Sequence, residues 1–156
     1  TIKRWDMSGW SCTLSWRAHD AAVSCLASSA ALKVLCSGSE DGRLRLWRFA
    51  SGASSEAVLV ATLCAAAPLK PLRTLGVEPS LGEVICAGTS DGTVCMWDLR
   101  AHMLLHTLRA HIGNSVRALC FGAGGRLYVA GSDSRVVVWN VRMDDELDNR
   151  KQQGVD

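Results

Sequence analysis

The stretch SGSEDGRLRLW, Ser37 to Trp47, brings a hydroxyl and a carboxylate close together, and His19 lies a short way upstream. A serine nucleophile, a histidine base and an orienting aspartate are the parts of a hydrolytic triad, so His19, Ser37 and Asp41 are candidates for acyl transfer. That chemistry needs an exposed hydroxyl, donors for an oxyanion and a cleft for substrate. The competing reading is a buried joint, in which the same groups satisfy one another because a buried carboxylate must find donors. Recurrence separates the two. Aspartate and tryptophan stand six residues apart at Asp41 and Trp47, Asp91 and Trp97, and Asp133 and Trp139, whereas a catalytic group is needed once. The turn therefore reads as a joint in a repeated scaffold, with the hydrolase as the dissenting alternative.

Other chemistries find less support. FGAGGRLY, Phe121 to Tyr128, is glycine-rich like a phosphate loop but lacks a following Gly-Lys-Ser/Thr, and reads as a hairpin turn. Histidines and cysteines never cluster at ligand spacing, so no metal is expected, and no fingerprint calls for a cofactor. Seven cysteines without a Cys-x-x-Cys pair, Cys25, Cys36, Cys86, Cys95 and Cys120 among them in apolar runs, act as small hydrophobes and point to a reducing, intracellular compartment, cytoplasmic or nuclear. AVLVATLCAAAPL, Ala57 to Leu69, is too short to span a membrane. The net charge of +2 divides into a tail, 143–156, with five acidic and two basic residues, and a body of +5. A mildly basic body is a weak pointer to nucleic acid, with a solvated face as the plainer reading.

The elements that must position these residues repeat. IKRWDM, RLRLWRF, TVCMWDL and RVVVWNV align on Trp5, Trp47, Trp97 and Trp139, spaced by 42, 50 and 42 residues. Each full unit has an apolar run (VSCLAS, RTLGVE, VRALCF), a second run, a polar turn, the tryptophan strand and a fourth run (AVLVATL, MLLHTL). Short runs rich in Val, Leu, Cys and Ile, bounded by Gly, Ser, Asp or Pro, are strands, so each unit is a four-stranded antiparallel meander. RVVVWNV puts apolar atoms on both sides of its strand, and such a sheet needs neighbouring sheets on both faces.

The pairs Trp5-Asp6 and Trp97-Asp98, the turns SGSEDG and AGTSDG, and the dipeptides Ala18-His19 and Ala110-His111 resemble the WD-repeat family. Trp47-Arg48 and Trp139-Asn140 depart from the Trp-Asp pair. The resemblance implies an all-β, partial β-propeller of four-stranded antiparallel blades. It divides the chain into the end of one blade (1–16), two full blades (17–64 and 65–109), three strands of another (110–142) and the acidic tail. It also implies that His19, Ser37, Asp41 and Trp47 form a buried hydrogen-bonded set. The second full unit keeps Asp91 and Trp97, with Ala87 at the serine position and no histidine. The last keeps His111, Asp133 and Trp139, with a turn, GSDSR, that reads as one residue shorter and lacks the glycine.

For function, the resemblance implies a non-catalytic interaction scaffold, part of a larger protein or complex, that takes protein or peptide partners. Loops into first strands and turns between second and third strands form the family's common docking face, which nominates Arg17, Asp20, Glu40, Ser90, Arg109, Asn114 and Ser132. AGTSDGTVCMWDLR is similar to the box by which substrate receptors dock on the adaptor of cullin-RING ubiquitin ligases, with Asp98 holding Arg100 as an anchor. Ribonucleoprotein assembly is a further alternative. Starting at Thr1 without an initiator methionine or a leader, the chain reads as a piece of something longer. About three and a quarter blades do not close a ring, so closure is expected from further blades of a parent chain, a partner or a second copy.

Overall fold

The structure, a computed structural model, describes residues 1–50, 56–65 and 67–141, so the acidic tail lies outside the described residues. Among them the chain forms thirteen strands and no helix. The first sheet pairs β1 (Ile2–Asp6) with β2 (Ser11–Trp16). The next is a meander of β3 (Val23–Ser29), β4 (Val34–Ser39), β5 (Arg43–Phe49) and β6 (Ala57–Cys64). The third repeats that order with β7 (Leu72–Val77), β8 (Val84–Thr89), β9 (Thr93–Asp98) and β10 (Met103–Arg109). The last holds β11 (Val116–Gly122), β12 (Arg126–Gly131) and β13 (Val136–Asn140). All described pairings are antiparallel, and the sheets are the blades of a partial propeller.

Alternation along each strand sends residues to two different cores. From β8 and β9, Ile85, Ala87, Cys95 and Trp97 meet Val34, Cys36, Leu44 and Leu46 of the preceding blade. Their sequence neighbours Val84, Cys86, Val94 and Met96 meet Val116, Leu119, Leu127 and Val129 of the following one. Every residue of β8 is consequently buried, as a strand sandwiched between two sheets must be. A third, smaller core joins Ile2 and Ala18 to Trp47, whose ring meets Trp16 edge-on at 5.8 Å. On β13, by contrast, Val136 and Val138 stand 64% and 52% exposed.

The pairing carries a repeated irregularity. Beside Trp5, Trp47 and Trp97 the partner strand has one extra residue, Thr13, Val60 and Leu105 in turn. Between first and second strands the extra residue is Ser24, Arg73 or Arg117. Such bulges bend a strand and raise its twist, which suits narrow sheets arranged radially. Burial raises the thiols of Cys36, to about 12, and of Cys86 and Cys95, as expected of thiols used for packing. Cys120, read from sequence as a packing residue, is instead exposed on β11, because no sheet covers that face among the described residues.

Candidate functional site

In the first full blade the histidine comes from the loop before β3, the serine from β4, the aspartate from the β4–β5 corner and the tryptophan from β5. His19 Nδ1 lies 3.0 Å from Asp41 Oδ2, His19 Nε2 lies 2.8 Å from Ser37 Oγ, and Trp47 Nε1 donates to Ser37 Oγ at 2.8 Å. With a singly protonated imidazole one proton order satisfies every atom. Trp47 N–H donates to Ser37, Ser37 O–H donates to His19 Nε2, and His19 Nδ1–H donates to the carboxylate. Burial on its own raises the Asp41 carboxyl, but the Arg43 amide, the His19 ring and Ser39 outweigh it and hold the carboxyl below its ordinary value.

These distances would suit a nucleophile, base and acid. Ser37, however, is 0% exposed, and its oxygen already carries the indole N–H of Trp47. A buried, already bonded hydroxyl is not presented to a substrate carbonyl, and together with Trp47 the trio links the loop before β3, the second strand, the corner and the third strand.

The other blades keep parts of this linkage. In the third sheet Asp91 Oδ1 accepts from Thr89 Oγ1 at 2.7 Å and from the Thr93 amide at 3.3 Å, so a neighbouring hydroxyl stands in for the absent histidine. Trp97 is buried there without a serine beside it. In the last sheet His111 Nδ1 lies 3.0 Å from Asp133 Oδ2 while Nε2 faces the Val129 carbonyl oxygen at 3.1 Å. Both partners are acceptors, so a singly protonated ring can donate to only one of them at a time. Trp139 Nε1 is buried and has no partner among the described residues.

One reading of the turn is corrected. The corner of the last sheet is not a residue shorter. Val129, Asp133 and Trp139 have the spacing of Ser37, Asp41 and Trp47, and Leu127 pairs with Trp139 as Leu35 does with Trp47. Val129 thus holds the serine position, which explains the unpartnered indole. Ser134 takes the glycine's place at φ 61°, where Gly42 and Gly92 have 76° and 90°.

The nominated docking residues sit where corners meet loops. The same backbone bond recurs in all three blades: Glu40 N to Ala22 O at 3.0 Å, Ser90 N to Pro71 O at 2.9 Å and Ser132 N to Ser115 O at 2.9 Å. Arg17 and Asp20 pair with each other at 3.2 Å in the loop before β3. Glu40 accepts from Arg73 of the next blade at 2.9 Å, a partner that sequence reading missed because it comes from a bulge. Asn114 Nδ2 donates to Ile112 O, and Ser132 Oγ accepts the Ser115 amide. Arg109 is exposed beside Asp91, Thr93 and Ile112.

On the β9–β10 hairpin, Asp98 holds Arg100 by its backbone: Asp98 Oδ1 accepts the amides of Arg100 at 2.7 Å and Ala101 at 2.9 Å. The guanidinium Nε of Arg100 meets Glu83 Oε1 at 2.6 Å, a contact across the β7–β8 turn that Asp98 alone does not suggest.

A family model described as "WD domain, G-beta repeat" matches residues 10–48, 79–98 and 103–140. The chain is similar to nuclear distribution protein PAC1-2 of Uncinocarpus reesii, at 32% identity over 152 residues, covering 88% of this chain and 32% of that protein. It is similar to the ribosome biogenesis protein WDR12 homolog of Chlamydomonas reinhardtii, at 33% over 112 residues, covering 71% and 24%. To WD repeat-containing protein 90 of Homo sapiens it is 32% identical over 152 residues, covering 90% and 8%. The chain thus spans about a third of the length of the first of these relatives and less of the others.

Proposed function

Since the chain belongs to the WD-repeat family, we propose that it is a non-catalytic interaction module whose docking face is the edge where first-strand loops meet the corners. The observation that carries this reading is the recurring clamp from Glu40, Ser90 and Ser132 to the loops before them. It braces one edge of three blades, so Arg17, Asp20, Glu40, Ser90, Arg109, Asn114 and Ser132 present their side chains from a stiff frame. A rigid frame lowers the ordering cost of binding, which is what a scaffold needs. Affinity capture with the full chain tests it. Charge reversal of Arg17→Glu together with Glu40→Lys should strip out partners held by wild type, and an unchanged partner set would falsify the proposal.

A second reading concerns the opposite turn of the second full blade. Arg100 is 61% exposed along its side chain and has its backbone pinned by Asp98, the bearing of an anchor for a ubiquitin-ligase adaptor. Arg100→Asp should abolish adaptor capture, and equal capture by both proteins, or capture by neither, removes the idea. Ribonucleoprotein assembly, which the name of the Chlamydomonas relative suggests, would require salt-dependent RNA binding weakened by Arg17→Glu and Arg109→Glu.

A further inference from the structure

Cations on the docking edge differ in what they already hold. Arg17 is paired with Asp20 and Arg73 with Glu40, whereas Arg109 makes no ion pair among the described residues. Arg109 borders a cavity of about 270 Å³ at the seam between the corners of the third and last sheets, with Asp91, Thr93 and Ile112 on its other walls. Asp91 shares that wall without an ion pair to Arg109, its Oδ1 accepting from the Thr89 hydroxyl and the Thr93 amide.

Ile112 stands 77% exposed at the rim. Its loop is braced: the amides of Ala110 and His111 both donate to Gly92 O at 3.0 Å, and that of Asn114 to His111 O at 2.9 Å. The buried His111 ring adds its contact to Asp133. At the preceding seam the loop tucks its aliphatic residue inward, where Leu69 is half-buried against Gly42. An aliphatic side chain held out in water by a fixed loop, next to an unpaired guanidinium, has the form of a two-point anchor.

We propose that the notch between Arg109 and Ile112 docks an extended protein segment presenting a glutamate or aspartate beside an aliphatic side chain. The carboxylate pairs with Arg109, whose planar fork matches two oxygens, and the aliphatic group covers Ile112. This rests on the scaffold reading and names the chemistry of its partner.

The test is a nuclear magnetic resonance titration of the full chain with the capped peptide acetyl-Gly-Glu-Leu-Gly-amide and its glutamine counterpart. The glutamate peptide should shift the Ile112 methyl and Arg109 Nε–H signals saturably, and the glutamine peptide should bind about tenfold more weakly, the loss of one charge-assisted contact. Arg109→Glu should abolish the response. Equal binding of both peptides, shifts confined to other residues, or a response to oligouridylate but not to peptide would each overturn the proposal. Failure here with partner capture still sensitive to Arg17→Glu and Glu40→Lys removes the notch and leaves the scaffold. An intact peptide response with insensitive capture does the reverse.

Discussion

The first full blade and the last sheet carry the same histidine, aspartate and tryptophan at the same spacing, yet only the first closes the chain of hydrogen bonds. Ser37 joins His19 to Trp47, whereas Val129 interrupts the route between His111 and Trp139. The difference shows that the serine is the coupling element. Histidine and aspartate alone tie loop to corner, and without the hydroxyl the third strand is held by its backbone ladder and packing, with no side-chain link to the histidine. The interrupted set belongs to the sheet whose β13 leaves Val136 and Val138 exposed among the described residues.

Converting the first blade to the pattern of the last is the strongest way to break that contrast. Ser37→Val leaves Trp47 Nε1 without an acceptor and His19 Nε2 without a donor, both in a buried site. Two such losses should cost about 2–4 kcal/mol. The urea midpoint of the full chain should fall with an unchanged slope. A midpoint like that of wild type would mean that packing, and not the serine, holds the blade.

Acid should act on the same frame with a defined sign. The folded-state carboxyl of Asp41 lies below its ordinary 3.8, so it contributes stability that is fully present above that value and is lost as pH falls through the folded one. Asp41→Asn keeps an acceptor for His19 but gives up the charge, at a cost of about 1–2 kcal/mol near neutral pH. In this variant the decline of the urea midpoint below pH 4 should be shallower than in wild type. Parallel declines would place the acid-sensitive group elsewhere, with Glu78 and Asp91, both also held low, the next to examine.

Much of this frame is legible in the amino-acid sequence. The tryptophan period dictates repeated short strands, and RVVVWNV, apolar on both sides, dictates stacking. The grouping of His19, Ser37, Asp41 and Trp47 comes from the resemblance to the WD-repeat family, which implies those residue types at those places in a blade. The rest depends on register, which pattern does not report. The extra residues Thr13, Val60 and Leu105 look like ordinary strand residues, and nothing in AVLVATLC marks Val60 as the one left over. The corner of the last sheet is misread when counted from its Gly-Ser, because that pair is shifted against AGTSDG; counting back from Trp139 places Val129 correctly. Arg100 meets Glu83 across two different turns, a non-local pairing that no short motif contains.

The reverse conversion sharpens the comparison. Val129→Ser places a hydroxyl between Trp139 Nε1 and His111 Nε2, worth about 1 kcal/mol, but takes a fully buried valine out of the core at a cost of about 1–3 kcal/mol, so the urea midpoint should not rise. The hydrogen-bond part is itself smaller than the loss from Ser37→Val because Trp139 is only half-buried. The indole N–H of Trp139 should exchange more slowly with solvent deuterium in the variant. Unchanged exchange would show that the orphaned group already finds an acceptor in solution.

The corner itself gives the smallest effect and the most direct test of local strain. Ser134 occupies φ 61°, a left-handed position that Gly42 and Gly92 fill in the other blades without a side-chain penalty. For a non-glycine residue that conformation costs about 1–2 kcal/mol, while a glycine there loses about 0.4–1 kcal/mol more entropy on folding. The two terms oppose each other, and the steric one is larger. Ser134→Gly should therefore stabilise the chain by about 0.5 kcal/mol, read as a small rise in urea midpoint. A fall instead would mean that the serine side chain stabilises the corner by more than its backbone costs, and the last corner would then be a distinct design of turn and not a strained copy of the first.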